Sequence, residues 1–157
     1  MKTIQLTRGM KSIVDDEDFK KVSQQKWHFH KHPDRDFGYA RTDKKGKAIF
    51  MHNIIMNNVN SDHINGNGLD NRRKNLRPST RSQNMMNRRK FPGCSSKYKG
   101  VNWNKHASQW VSRITKDSQT YLLGYFRNEK RAASEYDAAA KLLHGDFARL
   151  NFPIKQS

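Results

Sequence analysis

Near its C-terminal end the chain carries a helix-like segment whose apolar face consists mostly of alanine. The apolar side chains recur at the three- and four-residue spacing of one helix face, at Ala132, Ala133, Tyr136, Ala139, Ala140 and Leu143. Asn128 is suited to cap its start and Gly145 to end it. Because alanine is short, this face can lie close against a sheet. Three strand-like segments, 100–103, 110–115 and 120–126, precede it. We therefore predict three short strands followed by one helix that packs against a sheet.

The first 57 residues also carry strand signals. Segments 4–7 and 38–42 alternate in the manner of strands. A turn at 43–46 before the apolar segment 48–51 predicts a β-hairpin. The acidic run 15–18 predicts the start of a short helix, since negative charge is stabilised at a helix N-terminus. The fold class predicted is α+β.

Three regions follow from these patterns. We predict an N-terminal β-rich region with a functional core over 1–90, a linker at 91–96, and a C-terminal domain at 97–157.

The net charge limits the classes of partner. The 157 residues include 31 Lys and Arg but only 14 Asp and Glu, which gives a formal net charge of +17. Such a field attracts polyanions and releases their counterions. The single cysteine, Cys94, excludes an internal disulfide and a multi-thiolate zinc site. With no long apolar run and no signal-peptide pattern at Met1, we expect a cytoplasmic protein without membrane association.

The positive charge is densest in segment 71–90, which has eight basic and no acidic side chains. It directly follows 62–70, where two acids are the only charged residues. A solvated, disordered stretch is the common alternative for a charge run, but apolar residues are interspersed here. We predict nucleic-acid contacts from Arg72, Arg73, Lys74, Arg77, Arg81, Arg88, Arg89 and Lys90.

The middle segment also contains the residue types that phosphodiester hydrolysis requires. That reaction needs a base for water and a hard cation on the phosphate. Asp62 and His63 are adjacent, so on a strand they point to opposite faces. An Asn- and Gly-rich loop follows, and segment 79–89 is suited to a short helix that carries Asn84, with Ser79 as its N-cap.

Segment 50–90 resembles the HNH endonucleases, most closely the phage homing endonucleases with asparagine at the third motif position. The similarity lies in 51–56, 62–66, 70–77 and 82–84, with Asn75 following His63 by 12 positions and Asn84 by 21. The resemblance implies a ββα-metal core. It implies that His63 is the general base and that Asp62 and Asn84 bind one divalent metal.

The resemblance also implies that Asn75 holds the loop and orients His63. Asn71 competes for that middle position, although its spacing is poorer, and Asn75 could instead be purely structural. Oxygen ligands favour Mg²⁺, with Mn²⁺ as a substitute. His52 is expected to pack or to contact DNA rather than to bind metal.

Segment 95–153 resembles the APETALA2-type DNA-binding domains of plant ethylene-response factors. The similarity rests on 96–101, 110–114, 123–126, 132–140 and 150–153. The resemblance implies a three-stranded antiparallel sheet packed on one helix. It also implies that one sheet face contacts DNA through Lys99, Asn102, Asn104, Arg113, Thr115, Thr120 and Leu122. Several of these replace arginine or tryptophan of the plant domains, so the plant target sequence does not carry over. Trp103 and Trp110 are expected in the core.

Together these features predict a metal-dependent, homing-type DNA endonuclease of a phage or mobile intron. The expected partner is double-stranded DNA, with no obligate protein partner, and monomer and dimer both remain open. One alternative is a non-catalytic DNA-binding regulator with a vestigial nuclease motif. Another is a basic architectural nucleic-acid-binding protein.

Overall fold

A computed structural model describes residues 1–31, 38–57 and 59–153. The chain forms two compact units, Met1–Arg81 and Ser82–Ser157. This division lies ahead of the linker predicted at 91–96. Residues 32–37 and 58 of the predicted N-terminal region, and 154–157 of the predicted C-terminal domain, lie outside the described residues.

Within its described residues the first unit combines short antiparallel strands with two helices. Its elements, in chain order, are β1 Lys2–Gln5, β2 Lys11–Val14, α1 Asp16–Ser23, β3 His28–Lys31, β4 Gly38–Lys44, β5 Lys47–Phe50, α2 Met51–Ile55, β6 Ser61–His63 and β7 Leu76–Pro78. Strand β1 pairs with β2, β4 lies between β3 and β5, and β6 pairs with β7. The hairpin predicted around Gly46 is confirmed as β4–β5, and the acidic run does begin a helix, α1.

The core of the first unit fixes the position of the β6–β7 hairpin. Val14 and Val22 bring β2 and α1 together with Met51 and Ile55 of α2, and all four side chains are buried. Leu76, the first residue of β7, joins the same cluster. Burial of each large apolar side chain stabilises the fold by about 1.5–3 kcal/mol. The hairpin is therefore anchored to a packed core.

The second unit contains one sheet and one long helix among its described residues. The elements that follow β7 are α3 Arg81–Met86, β8 Val101–Asn104, β9 Gln109–Lys116, β10 Gln119–Phe126 and α4 Glu129–His144. The antiparallel sheet has the order β10-β9-β8, which confirms the predicted three strands and helix. Helix α3 is shorter than the predicted 79–89.

Helix α4 begins and ends where the sequence predicts. The side chain of Asn128 accepts a hydrogen bond of 3.1 Å from the backbone N–H of Arg131. The helix ends at Gly145, which has a φ of 52° that favours glycine. Its alanine face packs on the sheet, with Ala132 and Ala133 against Val101. Trp110 packs against that cluster as expected. Trp103 differs: it is 40% exposed, and its ring lies edge-on to Trp110.

The chain between α3 and β8 is attached to the second unit by side-chain hydrogen bonds. Lys99 Nζ donates to the carbonyl of Met86 at the end of α3. Lys90 Nζ donates to the carbonyl of Val101, at 2.8 Å. Ser96 Oγ donates to Glu129 Oε1, also at 2.8 Å. The residues predicted as a linker, 91–96, therefore belong to the second unit.

Among the described residues, no helix has both the length and the apolar character needed to cross a membrane.

Candidate phosphodiesterase site and candidate DNA-binding sheet

The β6–β7 hairpin positions Asp62 and His63 side by side. In its register Asp62 lies opposite Arg77, and His63 lies opposite Leu76. Asp62 and His63 are only 6% and 5% exposed. The Asp62 carboxylate accepts hydrogen bonds from Arg77 Nη2 at 2.9 Å and Nε at 3.2 Å. This ion pair compensates the cost of burying the carboxylate.

The imidazole of His63 is buried and hydrogen-bonded. Its Nε2 lies 3.1 Å from the amide oxygen of Asn71. Burial lowers the pKa of His63 below the ordinary 6.5, while the bond to Asn71 and the nearby Asp62 partly oppose that shift. The ring is therefore neutral at neutral pH. A neutral imidazole is the form that can accept a proton from water.

Asn75 holds the loop that follows His63. Its Oδ1 accepts from the backbone N–H of Asn65 at 3.0 Å, and its Nδ2 donates to the carbonyl of Asp70 at 2.7 Å. Its own carbonyl accepts from Ile64 N–H at 2.9 Å. The hydrogen bond to His63 Nε2 described above involves Asn71, the alternative candidate for the middle motif position, rather than Asn75.

Three arginines of the basic segment form ion pairs inside the first unit. Besides the Arg77 pair, Arg72 donates to both carboxylate oxygens of Asp70 at 2.6 Å. Arg73 likewise donates to both oxygens of Asp18, at 2.8 Å. The pKa of Asp70 is lowered, chiefly by the hydrogen bonds from Arg72. These guanidinium groups, predicted as DNA contacts, are therefore bound to acids of their own chain.

The other predicted cations of segment 71–99 fall into three groups. Lys74, Arg81 and Arg89 are exposed and remain available to an anionic partner. Arg88 lies over the ring of Phe91, with 4.4 Å from its Cζ to the ring centroid. The remaining two, Lys90 and Lys99, donate to backbone carbonyls of the second unit. Burial, with nearby Arg149 and Arg88, lowers the pKa of Lys99 to about 8. A structural role therefore explains Lys99 better than the predicted DNA contact.

A group of aromatic rings surrounds His63. The ring of His52 lies edge-on to that of His63, with 4.8 Å between the centroids, and Phe50 stacks on His52 at 5.6 Å. Tyr39 lies 5.9 Å from both histidine rings. Burial, together with repulsion from His63, lowers the pKa of His52 to about 3. Of the two expectations for His52, packing is the one that this geometry fits.

The predicted metal ligands belong to different units. Asp62 lies in the first unit, and Asn84 is exposed on α3 in the second. As donors they supply a carboxylate and an amide oxygen, a set that suits a hard divalent cation. A separate acidic group in the described residues, Asp15, Glu17 and Asp18, has its carboxylate oxygens within 4.8 Å of one another. Arg73 forms ion pairs with two of these acids, so we interpret that group as its partner.

One face of the second unit's sheet carries six of the seven residues predicted there to contact DNA, all but Lys99. In the strand register Arg113 lies opposite Leu122, and Thr115 lies opposite Thr120. Because side chains alternate along a strand, these pairs share a face with two residues of β8, Asn102 and Asn104. Helix α4 covers the opposite face through residues such as Ile114.

Tyr125 belongs to the same face and was missed by sequence reasoning. It lies opposite Val111, two positions before Arg113 on β9, and is 44% exposed. Simple alternation from Leu122 would place Tyr125 on the helix side. The register shift between Leu122 and Gly124 reverses that alternation. No local sequence signal marks such a bulge apart from Gly124 itself.

Comparison with known proteins gives two partial similarities. A stretch of 133 residues, 83% of the chain, is 29% identical to an uncharacterized HNH endonuclease of Acanthamoeba polyphaga mimivirus and covers 68% of that protein. A stretch of 58 residues, 36% of the chain, is 41% identical to an ethylene-responsive transcription factor of Arabidopsis thaliana. The chain covers 32% of that factor. No protein-family model matches the chain. The chain is thus distantly similar to an HNH endonuclease and, in part, to a plant transcription factor.

Proposed function

We propose that this protein is a metal-dependent DNA endonuclease of the homing type, which hydrolyses a phosphodiester bond at a recognised site. The observation that carries the proposal is the buried neutral imidazole of His63, held by Asn71 next to the Asp62 carboxylate. The similarity to a viral HNH endonuclease supports the same reaction class. The ββα-metal core that the sequence resemblance implies is part of this proposal.

In this proposal His63 acts as the general base that takes a proton from the attacking water. Its lowered pKa suits that function, because a neutral ring is available at neutral pH. Asn75 and Asn71 act indirectly, by fixing the loop and the ring. General-base catalysis contributes roughly 10²- to 10⁴-fold to the rate.

Asp62 and Asn84 would hold Mg²⁺, with Mn²⁺ as a substitute. When bound, the cation supplies charge stabilisation to the scissile phosphate and to the leaving 3′ oxygen. Arg77 donates to the Asp62 carboxylate, so Asp62 must share that carboxylate between the guanidinium and the cation.

The exposed sheet face of the second unit would recognise double-stranded DNA. Its amide and guanidinium groups are of the kinds that read base edges, since Asn can pair with adenine and Arg with guanine. The similarity to an ethylene-responsive transcription factor supports this assignment. The exposed cations Lys74, Arg81 and Arg89 would add contacts to phosphates.

A nicking assay tests the proposal. The full chain is incubated with supercoiled plasmids that carry a randomised insert, with Mg²⁺ or with EDTA, and nicks are mapped by sequencing. We expect recurrent single-strand nicks that EDTA abolishes, because one motif supplies one site. His63→Ala should nick at least about 100-fold more slowly with unchanged DNA affinity. His106→Ala, which removes an exposed histidine of the second unit, is the matched control and should nick normally.

Two outcomes would contradict the proposal. If the protein binds DNA but never nicks it, the non-catalytic regulator is the better description. If His63→Ala nicks at the wild-type rate, the reaction does not use His63 as its base.

A further inference from the structure

A chain of buried hydrogen bonds links strand β2 to His63. Asn71 Nδ2 donates to Ser12 Oγ, which lies 2.8 Å away on β2. The other end of the same amide, Asn71 Oδ1, lies 3.1 Å from His63 Nε2. Ser12 and Asn71 are both fully buried, at 0% exposure. Water therefore does not compete for these bonds.

The surroundings of Asn71 determine which way its amide faces. Its nitrogen lies between two oxygens, Ser12 Oγ and the carbonyl of Gly68 at 3.4 Å. Ser12 Oγ lies 3.0 Å from the carbonyl of Leu69, to which it can donate its own proton while it accepts from Asn71. An amide turned the other way would place its oxygen next to the Gly68 carbonyl. The amide oxygen therefore faces His63 and requires a hydrogen on Nε2.

Backbone hydrogen bonds hold β2, and with it Ser12, next to the loop between β6 and β7. The N–H of Asn71 donates to the carbonyl of Ile13 at 2.8 Å, and the N–H of Ile13 donates to the carbonyl of Leu69 at 2.9 Å. These bonds attach both sides of the loop to β2 next to Ser12. The serine hydroxyl is thus built into the support of the histidine.

We propose that Ser12 is a positioning residue for His63, which fixes the imidazole as its Nε2–H tautomer and leaves Nδ1 to accept the proton of the attacking water. This inference rests on the proposed function of His63. It assigns β2 a part in the chemistry, because Ser12, 59 positions before Asn71, sets the direction of the Asn71 amide.

Nitrogen NMR of the full chain labelled at its histidines tests the tautomer without any cleavage assay. The His63 signals are identified by their loss in His63→Ala. At neutral pH we expect the wild type to show a protonated Nε2 and an unprotonated Nδ1. Ser12→Ala and Ser12→Cys, which keeps most of the volume, should both give a mixture of tautomers, whereas Ser12→Thr keeps the hydroxyl and should restore the single form. A protonated Nδ1 in the wild type would overturn the inference.

Kinetics supply the second readout. Ser12→Ala should lower kcat for nicking by about tenfold with unchanged KM, since outer hydrogen-bond partners of reacting groups contribute on that order. Ser61→Ala is the matched control, because it removes a buried hydroxyl of β6 that has no partner among the described residues. It should leave tautomer and kcat unchanged.

Failure of the proposed function and failure of the inference about Ser12 give different results. If the wild type shows the expected tautomer but does not nick DNA, the proposed function fails while the hydrogen-bond chain stands. If the wild type nicks and Ser12→Ala and Ser12→Cys keep both the single tautomer and the wild-type kcat, Ser12 does not position His63.

Discussion

The two units use their charged and polar side chains in opposite ways. In the first unit Arg72, Arg73 and Arg77 each pair with an acid of the same unit. In the second unit the sheet face exposes Arg113 among neutral side chains such as Asn102. Density of charge along the sequence is therefore a poor guide to the proposed DNA-binding surface. In the densest segment much of the charge holds the candidate site together.

The largest expected effect concerns acid stability, because two described histidines of the first unit, the buried His63 and the half-buried His52, have lowered pKa values. Burial lowers the pKa of His52 to about 3 and lowers that of His63. An unfolded histidine binds a proton at its ordinary pKa of 6.5, so stability is lost as the pH falls below that value. The expected slope is about 1.4 kcal/mol per pH unit for each histidine.

Urea denaturation between pH 6.5 and about 4.5, followed on NMR signals of each unit, measures this loss. The second unit contains one histidine with a lowered pKa, His144. The unfolding free energy of that unit should therefore change less steeply with pH. In the first unit, His52→Phe should reduce the slope of the unfolding free energy against pH by about 1.4 kcal/mol per pH unit, which corresponds to one proton. An unchanged slope in His52→Phe would contradict the lowered pKa of His52.

The next effect separates paired from exposed arginines. Arg73→Met removes the partner of Asp18, which is buried, and should destabilise the first unit by about 2 kcal/mol, because a buried carboxylate is left without compensation. The control Arg89→Ala alters an exposed arginine of the same basic segment and should change stability by less than about 0.5 kcal/mol. Thermal denaturation of both variants compares their losses of stability. Equal losses would contradict the distinction between a structural Arg73 and a merely exposed Arg89.

The smallest expected effect tests the sheet face. Arg113→Ala should weaken binding to the preferred DNA site by about tenfold, because an arginine contact to a base contributes roughly 1–3 kcal/mol, and should leave the melting temperature unchanged. Arg131→Ala alters an exposed residue of α4, on the opposite side of the sheet, and should leave the affinity nearly unchanged. Gel-shift titrations at one fixed salt concentration measure both. A larger loss in Arg131→Ala would move the binding surface to the helix.

Much of the fold was predictable because its signals are local. The strand alternation, the Asn128 cap and the glycine at the end of α4 act within a few residues of one another. The adjacent pair Asp62 and His63 was equally visible in the sequence.

The supporting contacts were not predictable, since their partners are distant in the sequence. Arg73 and Asp18 are 55 positions apart, and Asn71 and Ser12 are 59 apart. Spacing within the motif favoured Asn75 over Asn71, but the contact to His63 depends on β2, which the motif does not contain.

The attachment of the motif loop to β2 and α1 has a consequence for engineering. Segment 50–90 is not a portable module, because a graft of it into another protein would leave behind Ser12 and the acids that bind Arg73. The shortest fragment that keeps the site should therefore begin at the first strand, even though the recognisable motif starts some fifty residues later.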